Sequence, residues 1–413
     1  MMKAAVGVAG FDEALKIVLG HAARLAGGAS EVVELLACGG RVLAEAVKAD
    51  RDQPPFDRST RDGFAVRAAD VYASSLEVVG QIKAGEQWQG DALGANAAIE
   101  IMTGAPIPEG ADAVVMVEHV ERDGEVIRLL GGRSVRGGEN VVPRGSEAEA
   151  GQVVLTAGTV IEGAEIALAA TCGYSSLRVF CRPRVAIVAT GDELVELNAK
   201  PGPQQIRNSN SYGLAELVSR AGGEPVRLPI AVDKRVELEG VVRLARSCDL
   251  MLLSGGVSMG KYDLVEEVLE ALGAEFFFTG VKMQPGKPLV FGRLPATSES
   301  PAQFLFGLPG NPVSTQVTFH CFVEPLLRAM GGAGAQGPRF VQATLVEEVA
   351  GKAGLMRVLP ARLTADRVRP EVRLVSWQGS GDLAANARAN CYAVLPPEKE
   401  RFVEGEVITV LLR

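Results

Sequence analysis

The sequence predicts a multidomain α/β-plus-β protein. It would have a central doubly wound, mostly parallel sheet, an inserted β-rich lobe and a small C-terminal β-barrel. Three observations carry this expectation. Residues 183–330 alternate continuous apolar strands with amphipathic helices, the pattern of a sheet covered on both faces. Residues 50–145 and 331–413 break instead into short apolar runs separated by turn residues. The 413-residue chain is also too long for one ordinary core, so two to four domains are expected.

The first segment, residues 1–49, reads as helical and linker-like. In FDEALKIVLGHA, Asp12 and Glu13 interrupt the apolar run, and Ala14, Ile17, Val18 and His21 share one side. That pattern marks an amphipathic helix rather than a signal peptide. Residues 31–47 read as a helix and loop broken at Gly39-Gly40, and residues 146–182 are expected to complete the linker domain. In the lobe, LEVVGQIKAG, AAIEIMTGA and DAVVMVEHV are strand-like, and Asp123-Gly124 is a hairpin turn leading into EVIRLL. Between 183 and 330 come the strands RVAIVAT, DLMLLS, EFFFTG and FLFGLPG. The helix NSNSYGLAELVSRAGG pairs Leu214 with Val218 and Leu217 with Ala221 and stops at Gly222; DLVEEVLEALG is a second helix. Gly331 to Gly337 then links to MRVLPARLT, VRLVSW, YAVLP and VITVLLR, short strands of a terminal barrel.

Composition excludes several classes. A net charge of -8 argues against nucleic acid as a partner, so any bound anion must be held by local geometry. No charge-free apolar stretch is long enough to span a bilayer, so no membrane role is expected. Six cysteines without a CxxC pair fit buried, reduced thiols in a cytoplasmic protein. Three histidines cannot build a zinc site by themselves: His320 is adjacent to Cys321, and His119 has no partner at metal spacing.

The chemistry is concentrated at strand ends. In LLSGGVSMGKYD, Leu252 to Asp263, a buried strand breaks into two glycines and two serines. Ligands of an open parallel sheet sit there, and Gly255 and Gly256 let backbone amides approach an anion. Alone, the turn reads equally well as a tight corner. GLPGNPVST follows another strand, with Asn311 and Pro312 as a helix start. RVAIVAT ends in Thr190-Gly191-Asp192-Glu193, and MQPGKP places Lys287 on a rigid turn where a phosphate needs a point charge. Asp62, Asp192, Glu193, Asp249 and Asp263 fall at turns, and acids beside a phosphate pocket point to Mg²⁺. Two of these have weaker claims: Asp249 opens its strand at the end opposite the glycine turn, and Asp263 is equally suited to capping a helix.

TGDEL, NSNSYGL, SGGVSMGKYD, MQPGKP and LPGNPVS, in that order, resemble the molybdopterin molybdenumtransferase (MoeA-type molybdenum insertase) family, to which the gephyrin C-terminal domain also belongs. FDRSTRDGFAV, IMTGAPIPEGADAVV and QGSGDLAANARANCYAVLP extend the resemblance over nearly the whole chain. It implies a molybdopterin-binding type of α/β domain in an elongated, four-domain subunit that forms a homodimer. It also implies Mg²⁺-dependent insertion of molybdate into adenylylated molybdopterin, with release of AMP and molybdenum cofactor. A molybdopterin adenylyltransferase would be the substrate donor.

Carried over by the resemblance, Asp62 and Thr103 face the cleft from the lobe, and Asp192, Glu193, Asp249, Asp263 and Lys287 line it from the α/β domain. Of these, Asp62, Thr103, Glu193, Asp263 and Lys287 would be catalytic, and Asp62, Asp249 and Asp263 would hold the metal. Ser254, Gly255, Gly256, Ser258, Pro309 and Asn311 would cradle phosphate or pterin with Asp192, and Arg357 and Ser380 would stand near the pocket. The chain departs from the pattern at Gln284, where many relatives carry a basic residue, and at Glu147, where they often carry Asp. Arg58 and Arg61 add positive charge beside Asp62 or lie exposed. An adenylyltransferase and a non-catalytic scaffold are the alternatives; the lobe motif and the retained acids and lysine speak against them.

Overall fold

The computed structural model describes residues 7–72, 75–131, 133–256, 264–365 and 368–413. Helix α1 (Phe11–Ala22) forms where expected, with Glu13 accepting the Gly10 N–H at 3.2 Å and acids in its first turn. Its buried face of Phe11, Ala14, Val18 and Ala22 joins the core of the α/β region rather than a linker domain, with the Phe11 and Phe322 rings 5.4 Å apart. Just before it, Val8–Ala9 pairs in parallel with Gly280–Val281. The helix expected over 31–47 is absent. Ser30–Glu34 is a strand antiparallel to Ser176–Phe180, followed by a short 3₁₀ turn at Leu35–Ala37. The β-branched pair Val32-Val33 favours that extended backbone.

The lobe is one six-stranded sheet. Its strands are β1 (Gly63–Val66), β2 (Leu76–Ile82), β3 (Ala97–Ile101), β4 (Ala113–Met116), β5 (Val120–Asp123) and β6 (Val126–Leu129), in the order β4-β1-β3-β2-β6-β5. The Asp123-Gly124 hairpin forms between β5 and β6, with Val126 opposite Asp123. A 3₁₀ turn at Val117–His119 divides the run VVMVEHV, so β4 and β5 are separate strands. Helix α2 (Gly163–Thr171) covers the linker core of Cys38, Leu43, Ile161 and Val179.

The central sheet contains β7 (Arg184–Ala189), β8 (Glu224–Arg227), β9 (Leu250–Ser254), β10 (Glu275–Phe278), β11 (Val290–Leu294) and β12 (Gln303–Leu308). Their order is β8-β7-β9-β12-β11-β10. The first four are mutually parallel, and β11 and β10 run antiparallel at the edge. Helices α3 (Asn210–Arg220), α4 (Arg235–Ala245), α5 (Leu264–Ala271), α6 (Pro312–Thr318) and α7 (Glu324–Met330) cover it. Sequence reasoning missed β8 and α4, because EPVR is short and RVELEGVVRLA has a charged exposed face. Every residue of β9 is buried, as a strand covered on both faces requires.

The C-terminal region closes into a five-stranded barrel. Its strands are β13 (Phe340–Leu345), β14 (Met356–Ala365), β15 (Pro370–Leu374), β16 (Cys391–Leu395) and β17 (Val407–Leu412), and the β14–β16 pairing completes the ring. Helix α8 (Leu383–Arg388) precedes β16. The barrel is fastened to the central region: Met283 and Gln284 pair in parallel with Met356 and Arg357, and Tyr392, Val358 and Leu411 belong to the same core as Phe306 and Phe322. Among the described residues no helix is long and apolar enough to cross a membrane.

Gly63 heads β1 next to Asp62, and a Cβ there would lie 1.9 Å from the Val115 carbonyl oxygen. Gly63→Ala should therefore force the β1–β4 backbones apart and destabilise the lobe by about 2 kcal/mol. Thermal unfolding followed by tryptophan emission measures this; an unchanged midpoint would contradict the close approach.

Candidate functional site

A cleft of about 940 Å³ opens at the carboxyl ends of β7, β9 and β12, and the loop of residues 377–383 from the barrel forms one wall. Four expected segments meet in it: Thr190, Gly191 and Glu193 after β7, Ser254, Gly255 and Gly256 after β9, Pro309 to Pro312 after β12, and Gln284 to Pro288. Ser380 lines the cleft as well. The glycine turn is obligatory. Gly255 and Gly256 have φ of 96° and 66°, and a Cβ on Gly255 would lie 2.4 Å from the Thr190 carbonyl oxygen.

Asn210, at the start of α3, was not singled out in the sequence. Its Nδ2 donates to Ser254 Oγ at 2.9 Å and to the Gly310 carbonyl at 2.8 Å. One amide therefore ties together the turn before α3 and the turns after β9 and β12. Asn311 occupies the N-cap position of α6 without capping it. Its Nδ2 instead donates to Ser380 Oγ at 2.9 Å, and the Val313 N–H donates to the Ser380 carbonyl at 3.0 Å. These bonds clamp the barrel loop onto the strand tips.

Lys287 is exposed on its Pro-Gly-Lys-Pro turn and, among the described residues, has no carboxylate within ion-pair distance. Its charge is thus available to a ligand. Gln284 lines the cleft beside it as a neutral group. Asp192 is not part of the lining, and its Oδ1 accepts the Asp233 N–H at 3.0 Å. That bond brings Asp233 into the lining, a second residue that sequence reasoning missed. Although the Asp233 side chain is exposed at the rim, burial of its surroundings, then the charges of Asp192 and Glu193, raises its carboxyl above the usual range.

Other expected residues lie elsewhere. Asp249 is at the opposite end of β9, where its carboxylate accepts the Arg184 N–H at 2.7 Å. A strand of five residues separates it from the glycine turn, so it cannot ligate a metal in the cleft. Arg357 donates to the Ala350 carbonyl and is not part of the lining; its backbone pairs with Gln284. Asp62 and Thr103 form a compact pair in the lobe, outside the cleft lining. Asp62 Oδ1 accepts the Thr103 N–H at 2.7 Å and its hydroxyl at 2.9 Å. These bonds hold the Asp62 carboxyl below its ordinary value. Glu147 pairs with Arg58 at 2.8 Å. Ser258 and Asp263 lie outside the described residues.

Glycine-rich turns at the tips of a parallel sheet, an exposed lysine and rim carboxylates, walled by a barrel loop, form a polar cleft in an α/β protein of modular build. The comparisons are specific. Residues 9–173 match the MoeA N-terminal region (domain I and II), 186–329 the probable molybdopterin binding domain, and 342–412 the MoeA C-terminal region (domain IV). A molybdopterin molybdenumtransferase from a Nostoc species is 37% identical over 391 residues, 92% of this chain and 88% of that protein. One from Staphylococcus epidermidis is 34% identical over 90% of this chain and 88% of its own. A solved structure of a molybdopterin biosynthesis MoeA protein from Pyrococcus horikoshii, 31% identical, superposes with a TM-score of 0.71 over 98% of this chain and 99% of that one. The chain belongs to the molybdopterin molybdenumtransferase family, whose members are transferases.

Two outcomes follow from the geometry. Asn210→Ala should remove both tethers and cost about 1–3 kcal/mol in stability, which thermal unfolding measures. Asn210→Asp should be no better, since an ionised carboxylate cannot donate to the Gly310 carbonyl. For Asp233, a raised folded-state pKa means that ionisation penalises the fold. The penalty is fully present above the folded pKa and vanishes below the unfolded value of about 3.9. Asp233→Asn should therefore raise the melting temperature at pH 7 and leave it unchanged at pH 3; the reverse order would contradict the crowding.

Proposed function

We propose that this chain is a molybdenum insertase of molybdenum cofactor biosynthesis, acting on adenylylated molybdopterin and molybdate and releasing AMP and molybdenum cofactor. The observation that carries the reading is the convergence of the glycine turn, the Asn311–Ser380 clamp and the unpaired Lys287 in one cleft. Two anions must meet there. Backbone amides at Gly255 and Gly256 and the Lys287 ammonium offset the repulsion between molybdate and the phosphoanhydride. A molybdate oxygen would attack the AMP phosphorus and displace the pterin phosphate, water then freeing AMP and molybdate, so no protein nucleophile is needed; the sulfur ligands for molybdenum belong to the pterin substrate itself.

The residues fit a Mg²⁺ ion shared with substrate phosphates. Glu193 and Asp233 line the cleft, and the crowding that raises Asp233 is what a divalent cation relieves. No cluster of three or more His, Cys, Asp or Glu that could hold a metal occurs among the described residues, so Glu193 and Asp233 would hold the ion together with substrate phosphate and water. When bound, Mg²⁺ supplies charge screening at the phosphates. Asp62, held ionised by Thr103, lies outside the lining of the cleft in its own subunit and would reach the cleft of a second copy that receives its lobe. The working unit proposed here is therefore a homodimer, placed in the cytoplasm and supplied by a molybdopterin adenylyltransferase.

AMP release from adenylylated molybdopterin tests this. It should require Mg²⁺ and rise with molybdate, and Lys287→Ala and Asp62→Ala should each lower it by about 100-fold. Release that ignores molybdate, or unchanged rates in both variants, would overturn the assignment.

A further inference from the structure

Trp377 has no part in the reaction proposed above, yet it stands in the wall of the cleft. It is one of two tryptophans in the chain and, among the described residues, the only aromatic side chain in the lining. The indole is half-buried and packs against both the core shared with the central sheet and the barrel core. It is thus held from behind while one part faces the cavity. No described residue accepts a hydrogen bond from its ring N–H. Its neighbours fix its place: Gln378 donates its N–H to Asp382 Oδ2 at 3.0 Å, and Ser380 is clamped by Asn311 at 2.9 Å.

The rest of the lining is polar or glycine- and proline-rich on the anion side, with Met283, Leu194, Ile206 and Leu383 as apolar surface. A cavity of about 940 Å³ exceeds what one phosphate or oxyanion requires. We propose that Trp377 is the stacking platform of this site, a positioning residue for the fused nitrogen heterocycle, pterin or purine, that the bound phosphate carries. This rests on the reading of the cleft as a nucleotide- and pterin-phosphate site. A rigid indole offers a broad π-face at low entropy cost, and a heteroaromatic base stacked on such a face gains affinity. The barrel would then contribute recognition of the ring, while the strand tips hold the charge.

Fluorine-19 spectra of the full-length protein labelled with 5-fluorotryptophan test the platform. Two resonances are expected, and Trp377→Phe assigns one by deletion. AMP is titrated in one series and a pterin-alcohol phosphate in another, with inorganic phosphate as control. The Trp377 resonance should move with at least one ring compound and not with phosphate, and the Trp88 resonance should stay. Which compound moves it identifies the ring. Trp377→Leu, which keeps apolar bulk, should bind that compound at least about fivefold more weakly, and Trp377→Phe should retain most of the affinity. Melting curves of both variants separate lost packing from lost stacking.

An unmoved resonance, absence of binding by both compounds at millimolar concentration, or wild-type affinity in Trp377→Leu would each overturn the platform. These outcomes are separate from the functional reading. Molybdate-dependent AMP release with an unmoved Trp377 removes the platform alone. A moved resonance in a protein without that turnover removes the function alone.

Discussion

Clustered negative charge on a ligand has to be held by a chain whose own net charge is -8. A global field cannot do it, so in the proposed site the work falls to a few oriented dipoles and the Lys287 ammonium at short range. That constraint explains why the ends of β7, β9 and β12 are built as they are. Positive φ at Gly255 and Gly256 bares the backbone, and the close approach to Thr190 forbids a side chain there. Asn210 then fixes the glycine turn relative to the turn after β12. Flexible loops would lose this register, and amides that must reorganise hold an anion less well.

The same constraint gives the barrel a role beyond covering a core. Tyr392, Val358 and Leu411 share a core with the helices of the central region, and the Met283–Gln284 strand runs beside Met356–Arg357. A barrel seated this firmly can bring Ser380 to Asn311 and place Trp377 along the cleft. In the proposed site, charge recognition and ring recognition would come from different parts of the chain, joined by one packed seam. The lobe, with Asp62 fixed by Thr103, holds a preorganised carboxylate that finds its cleft through a second subunit in the proposed assembly.

Much of this was legible in the sequence because glycine, proline and apolar runs have few alternative uses. RVAIVAT and DLMLLS could only be buried strands, and SGG, PGK and PGN mark turns where backbone conformation is restricted. What stayed hidden depended on tertiary partners. Asn210 is an ordinary amide until Ser254 and Gly310 come within reach, and Asn311, though marked by its turn, shows its bond to Ser380 only in the fold. Asp233 gains its place only through the Asp192 carboxylate. Asp249 illustrates the converse: proximity in sequence to a glycine turn does not bring a residue near it, because the intervening strand carries the chain across the sheet. The helix read into residues 31–47 failed because the antiparallel partner at Ser176–Phe180 is distant in sequence.

A crystal structure of the protein with AMP and molybdate bound would test the central claim most directly. Phosphate oxygens are expected on the amides of the Gly255–Gly256 turn, with the Lys287 ammonium and the Asn311–Ser380 clamp bordering the same anion. An anion seated on another face, with these groups still facing solvent, would contradict it.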